Sequence, residues 1–157
     1  MLRGRHHAAL ANIITTKEVK QARPHLKFLA GNYLTYQMKA DQSGGSARCR
    51  ICTSGENETV SHVISTCTGM EVERSRLLDE FKTLSGSTKN QIEFEDIAEN
   101  EKVLCQFILD PSSLNLHKRV SLSDPLLKDF FKLSREFCFI IDKTRVNLLK
   151  QLEKASC

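Results

Sequence analysis

No apolar run in the 157 residues approaches the ~20 that a membrane-crossing helix requires, so no spanning segment and no membrane partner are expected. The opening residues, Met1-Leu2-Arg3-Gly4-Arg5-His6-His7, lack the apolar centre and small-residue cleavage site of a secretory signal. A reducing, intracellular setting is therefore expected, with nucleus or cytoplasm left open. No internal repeat is visible, and low-complexity tracts are confined to two short polar linkers. Carboxylates that could converge on one reactive centre are also missing. Glu93, Glu95, Asp96, Asp110 and Asp142 fall on separate expected helices and loops, several as helix starts and stops, so no catalytic site is expected.

Against these absences stand six cysteines. Three of them join a histidine in one block, Cys49, Cys52, His62 and Cys67, spaced C-x2-C-x9-H-x4-C. Zn²⁺ favours four tetrahedral ligands drawn from thiolate and imidazole, and a two-residue gap lets both thiolates of a tight turn reach one ion. Thr59 can cap the short helical segment that carries His62 and Cys67. Between the pairs, Thr53-Ser54-Gly55-Glu56-Asn57-Glu58 is polar and turn-prone, as the tip of a finger should be, and has no apolar side chain to bury. Core cysteines sit among apolar neighbours, whereas Cys49 and Cys52 are flanked by Arg48 and Arg50. One structural Zn²⁺ is the expected cofactor. With four protein ligands it keeps no open position for a reactive water.

Acidic residues are scarce in the first third of the chain. Residues 1–52 carry nine Lys/Arg against Glu18 and Asp41, while the remainder is slightly acidic, giving +4 overall. A basic segment leading into a finger is the electrostatic footprint of a phosphate-binding surface, and Lys20, Arg23, Lys27, Arg48 and Arg50 are its expected nucleic-acid contacts. A solvated basic face without a ligand is the plainer alternative.

The fold class expected is mainly α: a small zinc-finger module embedded between helices and followed by a helical bundle with a long C-terminal helix. Leu26, Leu29, Tyr33 and Tyr36 mark a helix from about Pro24 to Lys39, followed by a linker at 41–46. Gly69 is expected to stop the short His62 segment. A helix from about Met70 then turns Val72, Leu77, Leu78, Phe81 and Leu84 to one side and ends at Leu84–Ser87. Glu93-Phe94-Glu95-Asp96 opens another, with Ile97, Val103, Leu104, Phe107 and Ile108 inward and Asp110-Pro111 as its stop. The last, about 28 residues by pattern, carries Leu127, Phe130, Phe131, Phe137, Ile141, Leu148, Leu149 and Leu152, with Ser123 or Asp124 as cap. Three parts follow: a basic helical arm (1–45), the CCHC module with its helix (46–85), and a C-terminal helical domain (92–157).

Several blocks recur together in one known setting. Leu26-Lys27-Phe28-Leu29-Ala30-Gly31-Asn32-Tyr33, the Cys-Arg-Ile-Cys and His-Val-Ile-Ser-Thr-Cys halves of the finger, 104–111 and Leu133-Ser134-Arg135-Glu136-Phe137-Cys138-Phe139 resemble the zinc-binding C-terminal region of reverse transcriptase polyproteins from animal non-LTR retrotransposons, or a detached or domesticated fragment of one. The resemblance spans roughly residues 20–150 and is most specific in the finger. It implies Cys49, Cys52, His62 and Cys67 as zinc ligands and RNA or DNA as partner. The chain has no Tyr-x-Asp-Asp polymerase motif and no upstream endonuclease pattern, so the resemblance is to a non-catalytic tail. A zinc-stabilised protein-interaction module, working or self-associating through the apolar stripe of residues 124–152, is the second expectation.

Overall fold

The first helix, α1 (Thr16–Leu29), starts two turns earlier than its apolar stripe suggests. Thr15 and Glu18 form a capping box: Thr15 Oγ1 accepts the Glu18 N–H at 3.2 Å and Glu18 Oε2 accepts the Thr15 N–H at 2.8 Å. Pro24 consequently lies inside α1 rather than in its first turn. The missing N–H there is offset by burial of Pro24, His25 and Phe28 on the face that packs against the long C-terminal helix. Residue 13 and residues 15–86, 97, 99–113 and 124–156 are described in a computed structural model.

The single helix expected over Pro24–Lys39 is two helices. Gly31, at φ 66°, turns the chain out of α1, and the Asn32 N–H reaches back to the Lys27 carbonyl at 2.9 Å. Thr35 then caps α2 (Tyr36–Ser43), which occupies part of the expected linker. Tyr33 sits in the break itself, its ring stacked on Phe28 with centroids 3.7 Å apart. Its helical spacing from Leu29 and Tyr36 is therefore coincidental.

After the finger, a short 3-10 turn at Thr68–Met70 leads into α3 (Glu71–Ser85). Leu77 and Phe81 are buried as expected, but Val72 is 80% exposed. Position 72 is five residues before Leu77, about 140° round the helix. Arg74 turns inward instead and donates to the Cys67 carbonyl at 3.2 Å. The next helix, α4 (Glu101–Leu109), is capped by Asn100 Oδ1, which accepts the Val103 N–H. The helix start assigned to residues 93–96 lies outside the described residues. So do residues 1–12, 14, 87–92, His117, the Ser123 cap and Cys157.

The C-terminal helix α5 (Asp124–Ala155) runs 32 residues, four more than expected, or about 48 Å. It is the element against which both α1 and α3 pack. Its stripe is buried at Leu126, Phe130, Phe131, Phe137, Cys138 and Ile141, while Leu152 near its end is 37% exposed. Phe81, Phe107 and Phe130 meet at centroid distances of 4.8, 4.9 and 6.0 Å, joining α3, α4 and α5. One continuous buried cluster runs from Phe28 through Cys49, Val63, Cys67 and Phe81 to Ile141, so the finger and the helices share a core. Among the described residues there is no β-strand, only an isolated antiparallel bridge between Arg48 and Asn57.

Candidate metal centre

That bridge builds the first half of the site. The Cys49 N–H donates to the Glu56 carbonyl and the Glu58 N–H to the Ala47 carbonyl, both at 2.8 Å, closing a hairpin that turns at Gly55, φ 76°. Within it, Cys49 to Cys52 form a tight turn in which the Ile51 and Cys52 backbone N–H groups point at Cys49 Sγ. The second half is a π turn at His62–Thr66, entered through Thr59, whose Oγ1 accepts the His62 N–H at 3.0 Å.

The π turn answers a problem set by the spacing. Five residues advance about 500° on an α-helix, which would leave His62 and Cys67 roughly 140° apart in direction. Widening the turn, so that the Cys67 N–H bonds to the His62 carbonyl at 2.7 Å, brings both side chains to one side. Gly69, expected to stop this segment, has a different duty. A Cβ there would lie 2.4 Å from Ile51 Cγ2, so the glycine lets the two halves of the finger close on each other.

The ligand atoms of Cys49, Cys52, His62 and Cys67 all lie within 4.8 Å of one another. Cys49 Sγ is 3.9 Å from Cys67 Sγ, and Cys52 Sγ is 3.3 Å from His62 Nε2. Tetrahedral zinc with bonds of about 2.3 Å to sulfur and 2.0 Å to nitrogen would set these edges near 3.8 and 3.5 Å. The cysteines are free thiols rather than disulfides. The four side chains can therefore hold a metal ion without rearrangement of the backbone.

The neighbours prepare these groups for a cation. Cys49 is pulled down to about 4, chiefly because the Cys67 thiol donates to it and, against burial, because backbone N–H groups support it. The proton that the pair retains stays on Cys67, which is raised by Cys49 first and by burial second. A divalent ion would replace that proton. Burial acts to lower His62, but the Cys49 and Cys52 thiols outweigh it and raise the imidazole above its ordinary value. On its far side, His62 Nδ1 lies 2.9 Å from Glu56 Oε2 and 3.1 Å from Thr66 Oγ1. With its proton on Nδ1 donated to Glu56, the ring presents Nε2 to the sulfurs.

Glu58 was expected at an exposed polar tip and is instead completely buried. Its carboxylate pairs with Arg145 of α5, accepts the Tyr36 N–H at 2.9 Å and approaches Cys49 Sγ at 3.9 Å. Arg145 lies over the Tyr33 and Tyr36 rings, 5.4 and 5.9 Å from their centroids. A single carboxylate thus ties the hairpin to α2 and to α5. No local pattern signals this pair, since its members are 87 residues apart.

Lys20, Arg23, Lys27, Arg48 and Arg50 are all exposed. Their spacing places Lys20, Arg23 and Lys27 on one face of α1, and Arg48 and Arg50 stand either side of Cys49. Arg50 also meets Tyr36, donating to its hydroxyl at 3.3 Å, and Lys39 joins it there, a residue not among the expected contacts. Of the scattered acids, Asp142 accepts the Tyr33 hydroxyl at 3.0 Å and Asp110 accepts the Ser112 N–H at 3.2 Å, while Glu93, Glu95 and Asp96 lie outside the described residues. Cys138 is buried and Cys105 half-buried, and burial raises both thiols.

Fold and site together define a mainly helical protein carrying a Cys3His cluster compatible with zinc. A comparison with protein-family models, curated proteins and solved structures finds no match to this chain. No described helix is long and apolar enough to cross a membrane.

Proposed function

We propose that this chain is a non-catalytic nucleic-acid-binding module stabilised by one structural Zn²⁺, of the kind its sequence resembles at the C-terminus of non-LTR retrotransposon reverse transcriptase polyproteins. The observation that carries this reading is the union of the two features at one place: Arg48 and Arg50 project to solvent from either side of a cysteine whose sulfur lies in the metal cluster. Zinc holds that turn in shape, and the cations it displays, with Lys20, Arg23 and Lys27 on α1, neutralise phosphates. Three thiolates and an imidazole fill a tetrahedral zinc and leave no position for a reactive water, which favours a structural rather than a catalytic ion.

The rival reading, docking or self-association through the stripe of residues 124–152, needs that stripe exposed. Phe130 and Ile141 are fully buried and Phe137 nearly so. The chain's own helices cover that face from Leu126 to Ile141, while Val146 and Leu152 beyond it are 39% and 37% exposed.

Two measurements test the proposal. Metal analysis of the purified chain should find one zinc per molecule, lost in Cys67→Ser. Titration of labelled RNA and DNA at two salt concentrations should give binding that weakens steeply with salt. A folded, metal-free protein, or binding indifferent to salt, would overturn it.

A further inference from the structure

We propose that Tyr36, flanked by Lys39 and Arg50, is a stacking platform for an unpaired base, which makes single-stranded nucleic acid the ligand of the surface beside the finger. The inference rests on the nucleic-acid reading above and narrows it. The chain has two tyrosines. Tyr33 is committed to the core: it is 4% exposed, stacked on Phe28 and hydrogen-bonded to Asp142. Tyr36 is half-buried at the first turn of α2 and lies against the hairpin. From within, the buried Arg145 approaches its ring at 5.9 Å. From the exposed flank come Lys39 Nζ at 5.1 Å and Arg50 Cζ at 5.8 Å from the centroid.

The charges around this ring are unevenly balanced. Arg145 is neutralised by Glu58. Lys39 and Arg50 form no ion pair among the described residues. The other carboxylates of α2 and the hairpin make no ion pair with either cation; Asp41 accepts from Gln37 and Glu56 from His62. An aromatic face attended by two exposed, uncompensated cations on flexible stems is the pairing that single-strand binding uses, the ring for a base and the cations for flanking phosphates. The cations leave the ring for phosphate as the base takes their place. Bases stacked within a duplex offer only their edges, so the platform selects unpaired ones.

Fluorescence anisotropy of the zinc-loaded full chain with labelled oligo-U RNA, oligo-dT DNA and a duplex of equal length tests this. Single strands should bind more tightly than the duplex, and Tyr36→Leu should weaken single-strand binding by roughly five- to hundredfold while leaving duplex binding unchanged. The RNA and DNA arms show which sugar the site prefers. Tyr36→Phe, which keeps the ring, should retain affinity. Arg50→Ala and Lys39→Ala should each reduce the salt slope by about 0.7. In a Tyr33→Phe background, where Tyr36 is the remaining tyrosine, its emission should be quenched on binding even if Tyr36→Leu folds poorly. Equal affinity for strand and duplex with no quenching would overturn the platform and leave the broader reading standing. No binding to any of the three probes would overturn both.

Discussion

Replacing Arg145 by Ala is the sharpest probe of how the finger is joined to the helices. Glu58 is 0% exposed and Arg145 6%, so the substitution strands a carboxylate in the interior. What remains to it is the Tyr36 N–H at 2.9 Å and, at 3.9 Å, the Cys49 sulfur, which as a thiolate is a like charge. Burial acts against the Arg145 charge and Glu58 restores it, so the two ions are held in place by each other. Breaking such a pair from one side costs about 3–5 kcal/mol. At a urea dependence near 2 kcal/mol per molar, the unfolding midpoint of the zinc-saturated protein should fall by roughly 2 M, followed by far-ultraviolet circular dichroism at fixed free zinc. Glu58→Gln with Arg145→Met removes both charges, keeps an acceptor for the Tyr36 N–H and fills the space, so the double variant should recover at least ~2 kcal/mol of the loss. A loss below ~1 kcal/mol in Arg145→Ala, or strict additivity in the double variant, would mean that the pair does not bind hairpin and helix together.

Glu56→Ala removes the acceptor that orients His62, and zinc affinity in a competition titration against a chelator should drop about ten- to hundredfold with little change in fold. Gly69→Ala drives a methyl into Ile51 Cγ2 and should cost about 1–3 kcal/mol and weaken metal binding; truncating Ile51 to Ala in the same chain should restore part of the affinity. Burial, and then Asp142, hold the Tyr33 phenol above its ordinary value of 10, against the pull of Arg145. The folded state therefore keeps a proton that the unfolded chain loses, and stability should fall as pH rises past 10. Tyr33→Phe should flatten that alkaline decline, measured as the difference between the two proteins' urea midpoints across pH 8–11.

The candidate metal site was legible because coordination is a local demand: a C-x2-C turn and an H-x4-C segment announce themselves within nineteen consecutive residues, 49–67. The long C-terminal helix was legible for a similar reason, since its apolar period persists from Leu127 to Leu152 whatever covers it. Misreadings arose where local pattern and tertiary role diverge. Tyr33 and Tyr36 continue the spacing of Leu26 and Leu29 across a helix break, so periodicity alone ran through Gly31. Thr15 with Glu18 three residues on is a capping signal, which a helix start set by the apolar stripe at Pro24 passes over. Val72 is apolar and fell near enough to the α3 stripe to be drawn into it, although a full accounting of its angle puts it opposite Leu77. Glu58 could not be found this way at all, because its burial depends on a cation 87 residues distant.

That buried carboxylate changes what a zinc ion held by this cluster would do. In an isolated finger the energy of metal binding serves a few dozen residues with no core of their own. In this chain Cys49 and Cys67 belong to the same buried cluster as Phe28, Phe81 and Phe130. Glu58, next to the bridge residue Asn57, also accepts the first N–H of α2 and pairs with α5. Order imposed on the four ligands is therefore transmitted in two directions. One runs through packing into the helices. The other runs through Glu58 and Arg145 to the Tyr36 ring, beside which Lys39 and Arg50 stand. The candidate metal cluster and the exposed cations are not separate features that happen to share a chain: the Glu58–Arg145 pair stands between them, its carboxylate beside Cys49 and its guanidinium beside the Tyr36 ring.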